Sequence, residues 1–353
     1  MKHPKYIEIA KSFERRIHSG DYAFATMPGA HKLAGEMGVS YLTARKAVKH
    51  LIDHGVVERL DTGRLQVRRK AVKTTGPMVA LITPFWNFST WHMGVRKEVA
   101  ACNGKLRIVA YTHNDDPIIT EALDGDFDII FVMLPSSTPG PMLIERLKKI
   151  RRKVVVMFHD MTEYGFRTLV GAPFSELEKL IEKLIENGHK RIDCLNTQPF
   201  EREMLLRVGV WEDMLKKHSI KGKFYNYPVE PFESPIEPAY EHAKEILQQG
   251  KVDTIFSSTV DSVRGIYRAS WELGLKPGVD FSVFSFGEYE RAKMLTPALA
   301  TIVSPDPGST IRQMINDILS ENYEKLLYRP EGAYIAWGES IKNIKDSELS
   351  HIN

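Results

Sequence analysis

The stretch Val39–Gly55, VSYLTARKAVKHLIDHG, combines hydroxyl and basic side chains with a regular apolar spacing. Its apolar residues recur at three- and four-residue steps, which predicts one amphipathic helix with a polar, basic face opposite. Ser40 is a suitable N-cap and Gly55 suits the position just beyond the C-terminus. Hydroxyl, guanidinium and ammonium groups on one face can donate hydrogen bonds to phosphates and base edges. The candidates for this chemistry are Ser40, Tyr41, Thr43, Arg45, Lys46 and Lys49.

The elements around this helix are those that would hold it against a duplex. A shorter helical segment, His31–Met37, precedes it, and Gly38 supplies a tight corner between the two. This order is that of a helix-turn-helix, although an ordinary surface helix with a solvated charged face has the same pattern. An earlier apolar stripe from Pro4 predicts a first helix. The runs VVERL and LQVRR around DTGR predict a hairpin, and three helices with a hairpin make a winged helix.

Charge and cysteine content narrow the class of protein. Residues 1–76 hold 15 Lys and Arg against 7 Asp and Glu, whereas the remainder holds 33 against 38, so only the first part suits a polyanion. Cys102 and Cys194 have no metal-ligand spacing, which favours a reducing compartment. Because no apolar run reaches the roughly 18–20 residues of a membrane span and no signal segment begins the chain, we expect a cytoplasmic protein.

The first 70 residues resemble the GntR-type winged-helix head. The matching motifs are SGDY, a Met27-Pro28 corner, LAGEMGVS, then Ser40, Thr43, Arg45 and Ala47 at their family spacing, then HGVVER. The resemblance implies that the front of the second helix and the hairpin tip, Gly63-Arg64, contact operator DNA. Tyr41 and His31 stand where the family usually has Arg, and the hairpin lacks the usual paired glycines. Tyr41 could instead be a packing residue at the helix start.

After a basic linker at 71–77, strand-like and helical runs alternate along the chain. Strand-like runs include VALITPF, LRIVAYT, DIIFVML, KVVVMF, RIDCLN, KFYNYPV, DTIFSS and FSVFSFG. This alternation predicts parallel sheets covered by helices, and about 260 residues suit two lobes with a cleft at the strand ends.

Several motifs in this body are similar to the effector domain of LacI/GalR repressors, which has the type I periplasmic-binding-protein fold. They are NGHKRI, DTIFSSTVDSVRGIYRASWELGLKPGVDFSVFSFGE and LTPALATI. A GntR-type head on such a body resembles the arabinose-repressor group. That resemblance implies a dimeric transcription regulator, expected to be a repressor, that answers to a sugar or sugar derivative.

Many family ligand positions are changed in this chain. Thr259 replaces an Asp, Asp261 lies on another helical face, Arg207 is shifted by one residue, and Glu288 belongs to an altered SFGE motif. Sugar hydroxyls need dense hydrogen bonding to replace lost water. The effector is therefore unusual, or the body serves only for dimerisation.

Other candidates follow the predicted strands. Trp86, Phe88 and Trp91 could stack on a ligand ring or pack as a lid, and His113, Ser136, His159 and Asp160 follow later strands. A His-Asp pair also raises acid–base catalysis or metal ligation, but no nucleophile or third ligand has a recognisable spacing. No phosphate-cradling motif occurs, so we expect no cofactor and no enzymatic activity.

The sequence thus predicts an α/β protein with an N-terminal winged helix-turn-helix and a two-lobed periplasmic-binding-protein-like domain. The expected boundaries are 1–70, the linker 71–77, 78–340, and a tail 341–353. The expected partners are operator DNA, a small effector and a second copy of the chain, without a membrane. An enzyme fused to a DNA-binding head is the remaining alternative.

Overall fold

The computed structural model describes residues 4–18, 21–22, 27–67, 76–85, 90–134, 139–171, 174–200 and 202–344. Three sheets organise them: one two-stranded sheet near the N-terminus and two six-stranded sheets in the body. The sequence predictions that lie outside these residues concern Trp86, Phe88, Ser136, most of the linker (71–75) and the end of the tail (345–353).

The N-terminal segment consists of three helices and a hairpin, as the periodicity predicted. The elements are α1 (Lys5–His18), α2 (Ala30–Met37), α3 (Tyr41–Asp53), and the antiparallel pair β1 (Val57–Arg59) and β2 (Leu65–Val67).

Both ends of α3 carry the predicted capping and turn residues. The Ser40 hydroxyl accepts a hydrogen bond from the Thr43 amide at 3.3 Å, which satisfies one free donor of the first turn. Gly38 and Gly55 adopt φ values of +59° and +69°, where a side chain would be strained. Packing against α1 then fixes α3, because Phe13, Leu33, Ala47 and Leu51 are completely buried between these helices.

Lobe one is built on a parallel sheet in the order β13-β7-β6-β5-β3-β4. Three of its strands, β3, β5 and β6, are short apolar runs buried on both faces, which is the pattern of a sheet covered by helices. The strands are β3 (Met78–Pro84), β4 (Lys105–Tyr111), β5 (Ile129–Met133), β6 (Val154–Met157), β7 (Arg167–Leu169) and β13 (Leu327–Tyr328). The helices are α4 (Thr90–Ala101), α5 (Pro117–Leu123), α6 (Pro141–Lys149) and α12 (Gly308–Leu319), with 3₁₀ turns at Arg151–Lys153 and Thr162–Tyr164.

Lobe two repeats this architecture in the order β14-β12-β11-β10-β8-β9, with β14 antiparallel to β12. Its strands are β8 (Ile192–Asn196), β9 (Phe224–Asn226), β10 (Thr254–Ser257), β11 (Ser282–Gly287), β12 (Ala300–Val303) and β14 (Tyr334–Ala336). Its helices are α7 (Ser175–Glu186), α8 (Arg202–His218), α9 (Ile236–Gln248), α10 (Val260–Glu272) and α11 (Tyr289–Ala292).

The chain crosses between the lobes three times, after β7, after β12 and after β13. The helix α12 returns to lobe one, where Ile311, Met314 and Ile315 pack in its core. Three connections between two lobes are an arrangement that can serve as a hinge. Within lobe two, Gly265 lets α10 approach α9, because a Cβ there would lie 2.4 Å from the Ile236 carbonyl oxygen.

Candidate functional site

A cavity of about 420 Å³ lies between the lobes, at the carboxyl ends of strands from both sheets. This is the position predicted for ligands of open parallel sheets, and the volume is typical of small-molecule sites. Its lining consists of Pro84, Trp91, Tyr111, Met133, Leu134, Met157, Phe158, His159, Gly171, Phe174, Gln198, Pro199, Glu203, Met204, Arg207, Pro231, Phe232, Phe286, Ile302, Val303, Ser304 and Ala333.

Aromatic side chains form much of the cavity wall and are arranged as three edge-to-face pairs. In lobe one, the Trp91 and Phe158 rings lie 5.0 Å apart. Across the lobes, Tyr111 meets Phe232 at 6.0 Å. Edge-to-face packing fixes the orientation of each ring, so the walls are largely preformed. The third pair, in lobe two, is Phe174 and Phe286 at 5.9 Å.

Two of these aromatic residues have backbones that L-amino acids rarely adopt. Phe158 has a φ of +68° and Phe232 has a φ of +77°. Such a conformation costs about 1–3 kcal/mol and persists only where the surroundings enforce it. Phe158 is held by its amide, which donates to the Leu169 carbonyl at 2.7 Å, and Phe232 packs into the core of lobe one although its loop belongs to lobe two. Two of the five non-glycine residues with positive φ in the described part of the chain therefore lie at the cavity.

The polar part of the lobe-two wall is an acid and a base one turn apart on α8. Glu203 Oε2 and Arg207 Nε are both buried without a hydrogen-bond partner among the described residues. Arg207 Nη1 donates to the Ser258 carbonyl at 2.9 Å, and its guanidinium lies 4.4 Å from the centre of the Phe286 ring. Burial lowers the pKa of Arg207, and the charge of Glu203 opposes that effect. Both charged side chains therefore belong to the cavity wall and lie close to each other.

Gly171 makes room for this acid. A Cβ at Gly171 would lie 2.9 Å from Glu203 Oε1, closer than such contacts normally are. The glycine therefore allows the carboxylate to lie against the segment that connects the two lobes.

In lobe one, His159 is the lining residue that carries a buried polar atom without a partner in the described part of the chain. Its Nδ1 is buried without a partner among the described residues, and burial lowers the pKa of the imidazole, which favours the neutral ring. Two other polar side chains are already engaged. Tyr111 donates its hydroxyl to the Met133 carbonyl at 3.0 Å, and Gln198 donates to Thr259 Oγ1 at 3.0 Å.

Three of the residues proposed from sequence as ligand contacts line the cavity: Trp91, His159 and Arg207. Arg207 reaches the cavity despite its one-residue shift. The core face of α8 is formed by Met204, Val208 and Trp211, and Arg207 flanks that face. Among the lining residues that the sequence did not indicate are Tyr111, Phe174, Gln198, Glu203, Phe232 and Phe286.

Two polar candidates of lobe one are satisfied by their own loops, and the structure does not place them in the cavity lining. His113 is exposed, and its Nδ1 lies 3.8 Å from Asp116 Oδ2. Asp160 accepts hydrogen bonds from the amide and hydroxyl of Thr162, at 3.1 and 2.7 Å, and so does not engage its neighbour His159 as a catalytic pair.

Thr259 and Asp261 of lobe two also lie outside the lining. Thr259 is the N-cap residue of α10, and its hydroxyl positions Gln198. Asp261 projects from the side of the first turn of α10 that faces Arg291, and the two side chains form an ion pair at 3.2 Å. Neither residue therefore belongs to the cavity wall, although Thr259 bonds to the lining residue Gln198.

Glu288 joins the two lobes instead of lining the cavity. Its Oε1 accepts hydrogen bonds from the Thr90 amide at 2.7 Å and the Thr90 hydroxyl at 3.1 Å. Thr90 begins α4 in lobe one, where first-turn amides lack partners within the helix. The other carboxylate oxygen pairs with Arg291 at 3.1 Å. The Thr90–Glu288 contact therefore depends on how closely the lobes approach.

The outward face of α3 carries the residues proposed to contact DNA. Arg45, Lys46 and Lys49 are exposed, whereas Ala44 and Val48 of the same helix are buried. Ser40 and Thr43 bond to each other through their hydroxyls at 2.8 Å. At the hairpin tip, Gly63 has a φ of +78° and Arg64 is exposed.

The two positions that depart from the GntR pattern pack against each other. The rings of His31 and Tyr41 are stacked with centroids 4.4 Å apart and planes 27° apart. Tyr41 is 40% exposed and its neighbour Leu42 is 64% exposed, so an apolar surface adjoins the basic one. Tyr41 thus packs at the helix start while its ring stays accessible.

The described residues contain no group of three or more His, Cys, Asp and Glu side chains arranged to hold a metal ion. In the same part of the chain, no helix combines the length and apolarity required to cross a bilayer.

No protein-family model matches the chain. Among solved structures, a LacI family transcriptional regulator from Enterococcus faecium with bound ribose matches with a TM-score of 0.65 and 18% identity, over 75% of this chain and 99% of that one. The fold of the body is that of LacI-family regulators. An Arthrobacter sp. FB24 member in complex with lactose matches with a TM-score of 0.63 and 16% identity, over 76% of this chain and all of that one.

A lac repressor dimer bound to operator and the anti-inducer ONPF matches with a TM-score of 0.62 and 13% identity, over 78% of this chain and 97% of that one. These likenesses confirm the two-lobed architecture predicted from the alternating strands and helices. They cover about three quarters of the chain, which is the share made up by the two lobes.

Proposed function

We propose that this protein is a DNA-binding transcription regulator whose operator affinity changes when a small molecule binds between the lobes. In this proposal residues 1–70 form a GntR-type winged helix that reads DNA, and residues 78–340 form the effector-binding and dimerisation domain. The body would act through binding, without an enzymatic reaction.

The observation that carries the proposal is the cavity, because both lobes line it with polar or charged side chains. His159 belongs to lobe one, and Glu203 and Arg207 belong to lobe two. A hydrogen bond contributes about 0.5–3 kcal/mol, so a ligand that pairs with these side chains gains stabilisation from both lobes at once. A ligand of this kind binds the closed arrangement more tightly than an open one, which is the condition for a switch.

The head supports the DNA-binding half of the proposal. Exposed Arg45, Lys46 and Lys49 give α3 a cationic face, and Arg can bond guanine bidentately or grip a phosphate. A single module of this size contacts few bases, so we propose a homodimer that binds two half-sites. Lobe closure would then alter the spacing of the two heads. By analogy with the repressors of similar fold, the regulator would act as a repressor.

Selection of duplexes from a random pool by the purified full chain tests DNA binding without knowledge of the operator. We expect enrichment of a palindromic site, bound by a dimer in sedimentation equilibrium, with an affinity that falls as salt rises. Failure to enrich any sequence would contradict the proposed function. If the full chain enriches a DNA site but no small molecule binds to its body, that result would instead favour the alternative in which the body serves only for dimerisation.

A further inference from the structure

The chemistry of the cavity wall restricts the effector more sharply than the fold does. Six aromatic side chains line the cavity, together with three methionines and four aliphatic residues besides prolines and glycine. The Tyr111 hydroxyl and the Gln198 side-chain amide nitrogen already donate hydrogen bonds within the protein. A free sugar would place several hydroxyls against this mainly apolar surface, where only five lining side chains besides Tyr111 and Trp91 are polar enough to replace lost water: His159, Gln198, Glu203, Arg207 and Ser304.

The two charged side chains of the wall, Glu203 and Arg207, are complementary. An ionised carboxylate only accepts hydrogen bonds, and a guanidinium only donates them. A ligand beside both side chains is therefore complementary when it offers a donor to Glu203 and an acceptor to Arg207. Because these residues are one helical turn apart, the donor and the acceptor must lie near each other on one edge of that ligand.

The aromatic residues define the remainder of the ligand. Edge-to-face pairs from both lobes surround the cavity, and their ring faces offer flat apolar surfaces. A planar ring matches such surfaces without leaving polar groups unpaired.

We propose that the effector is a planar, mainly apolar ring compound with a neighbouring hydrogen-bond donor and acceptor on one edge, and is not a free monosaccharide. Glu203 accepts from the donor, Arg207 donates to the acceptor, and the rings of Trp91 and Phe286 contact the flat faces. This inference rests on the proposed function, since it names the ligand class of the same cavity. Heterocyclic lactams and aromatic primary amides share this chemistry.

Quinolin-2-one is a suitable probe, because its ring N–H lies beside its carbonyl oxygen. 1-Methylquinolin-2-one keeps the ring and the acceptor but lacks the donor, and benzamide offers the same pair of groups on a smaller ring. Isothermal titration of the full chain should show binding of quinolin-2-one, about 10- to 100-fold weaker binding of its methyl derivative, and no binding of D-ribose or D-glucose at equal concentrations. The affinity of benzamide relative to quinolin-2-one shows whether the neighbouring donor and acceptor bind better as an open primary amide or as a lactam in a fused ring.

A variant assigns the donor contact to Glu203. In Glu203→Leu, the difference between quinolin-2-one and its methyl derivative should disappear, while the methyl derivative still binds and so reports an intact cavity. Glu212→Leu is the matched control, because Glu212 is exposed on the same helix and lies outside the cavity lining. That control should keep the full difference.

Binding of the free sugars in preference to the lactam, or binding of neither class, would overturn the inference. So would an undiminished difference between the two quinolinones in Glu203→Leu. Each of these results can occur while the chain still selects a DNA site, so they are distinguishable from a failure of the proposed function.

Discussion

Removing the Glu288 carboxylate should release the N-terminus of α4 from lobe two. The Thr90 amide and hydroxyl both donate to this carboxylate, at 2.7 and 3.1 Å. Hydrogen bonds to charged groups contribute about 1.5–3 kcal/mol each when well buried. The Glu288 side chain is 30% exposed, which reduces the effect, so we expect Glu288→Ala to cost about 1–2 kcal/mol for the closed arrangement.

Hydrogen exchange at the Thr90 amide measures this cost without any ligand. A loss of about 1–2 kcal/mol corresponds to exchange about 5- to 30-fold faster. Glu288→Gln keeps a neutral acceptor and should give an intermediate rate. Glu290→Ala is the control, because Glu290 is 75% exposed on α11 and pairs only locally, with Lys293 at 2.7 Å. Equal Thr90 exchange in the wild type and Glu288→Ala would refute the interlobe role of Glu288.

Three further outcomes are expected. Arg45→Ala should weaken binding to the selected DNA by about 1–3 kcal/mol and relax specificity at one position, whereas Lys11→Ala on the exposed side of α1 should not; a uniform loss across sequences would make Arg45 a phosphate contact. Trp91→Ala should abolish quinolin-2-one binding in titration and leave basal DNA binding intact, and unchanged binding would assign Trp91 to packing alone. Burial lowers the pKa of His92 and of His159, so the unfolded chain takes up protons first as the pH falls. Stability should therefore be complete above about pH 6.5 and decline below it by up to about 1.4 kcal/mol per pH unit for each histidine, as measured by urea unfolding; an equally steep decline in His159→Gln would contradict this assignment.

Periodicity was sufficient for the main elements. The apolar runs DIIFVML and KVVVMF contain β5 and β6, because a strand that is buried on both faces is apolar throughout. The segment SELEKLIEKLIE forms α7, because a helix that is buried on one face has apolar residues at three- and four-residue steps. Four short strands were not predicted: β7, β12, β13 and β14. All four border a crossing between the lobes, where the alternation of strands and helices within one sheet is interrupted.

The cavity was predictable in position but only partly in composition. Strand-end reasoning located Trp91 and His159, since each follows a recognisable strand. Phe232 could not be located in this way, because it crosses to the other lobe from a loop with an unusual φ. Glu203 resembles any exposed helical acid in sequence, and only the Gly171 contact shows why it is enclosed. Residues that depend on contacts between the lobes leave no local signal.

Cross-linking the lobes tests most directly whether their closure controls DNA binding. A short bismaleimide can join Thr90→Cys to Glu288→Cys, in a Cys102→Ser background that removes the half-buried native thiol. The proposed switch predicts that the cross-linked and uncross-linked proteins bind the selected duplex with affinities that differ by at least about five-fold at one salt concentration. Equal affinities at complete cross-linking, with the duplex still bound specifically, would contradict it.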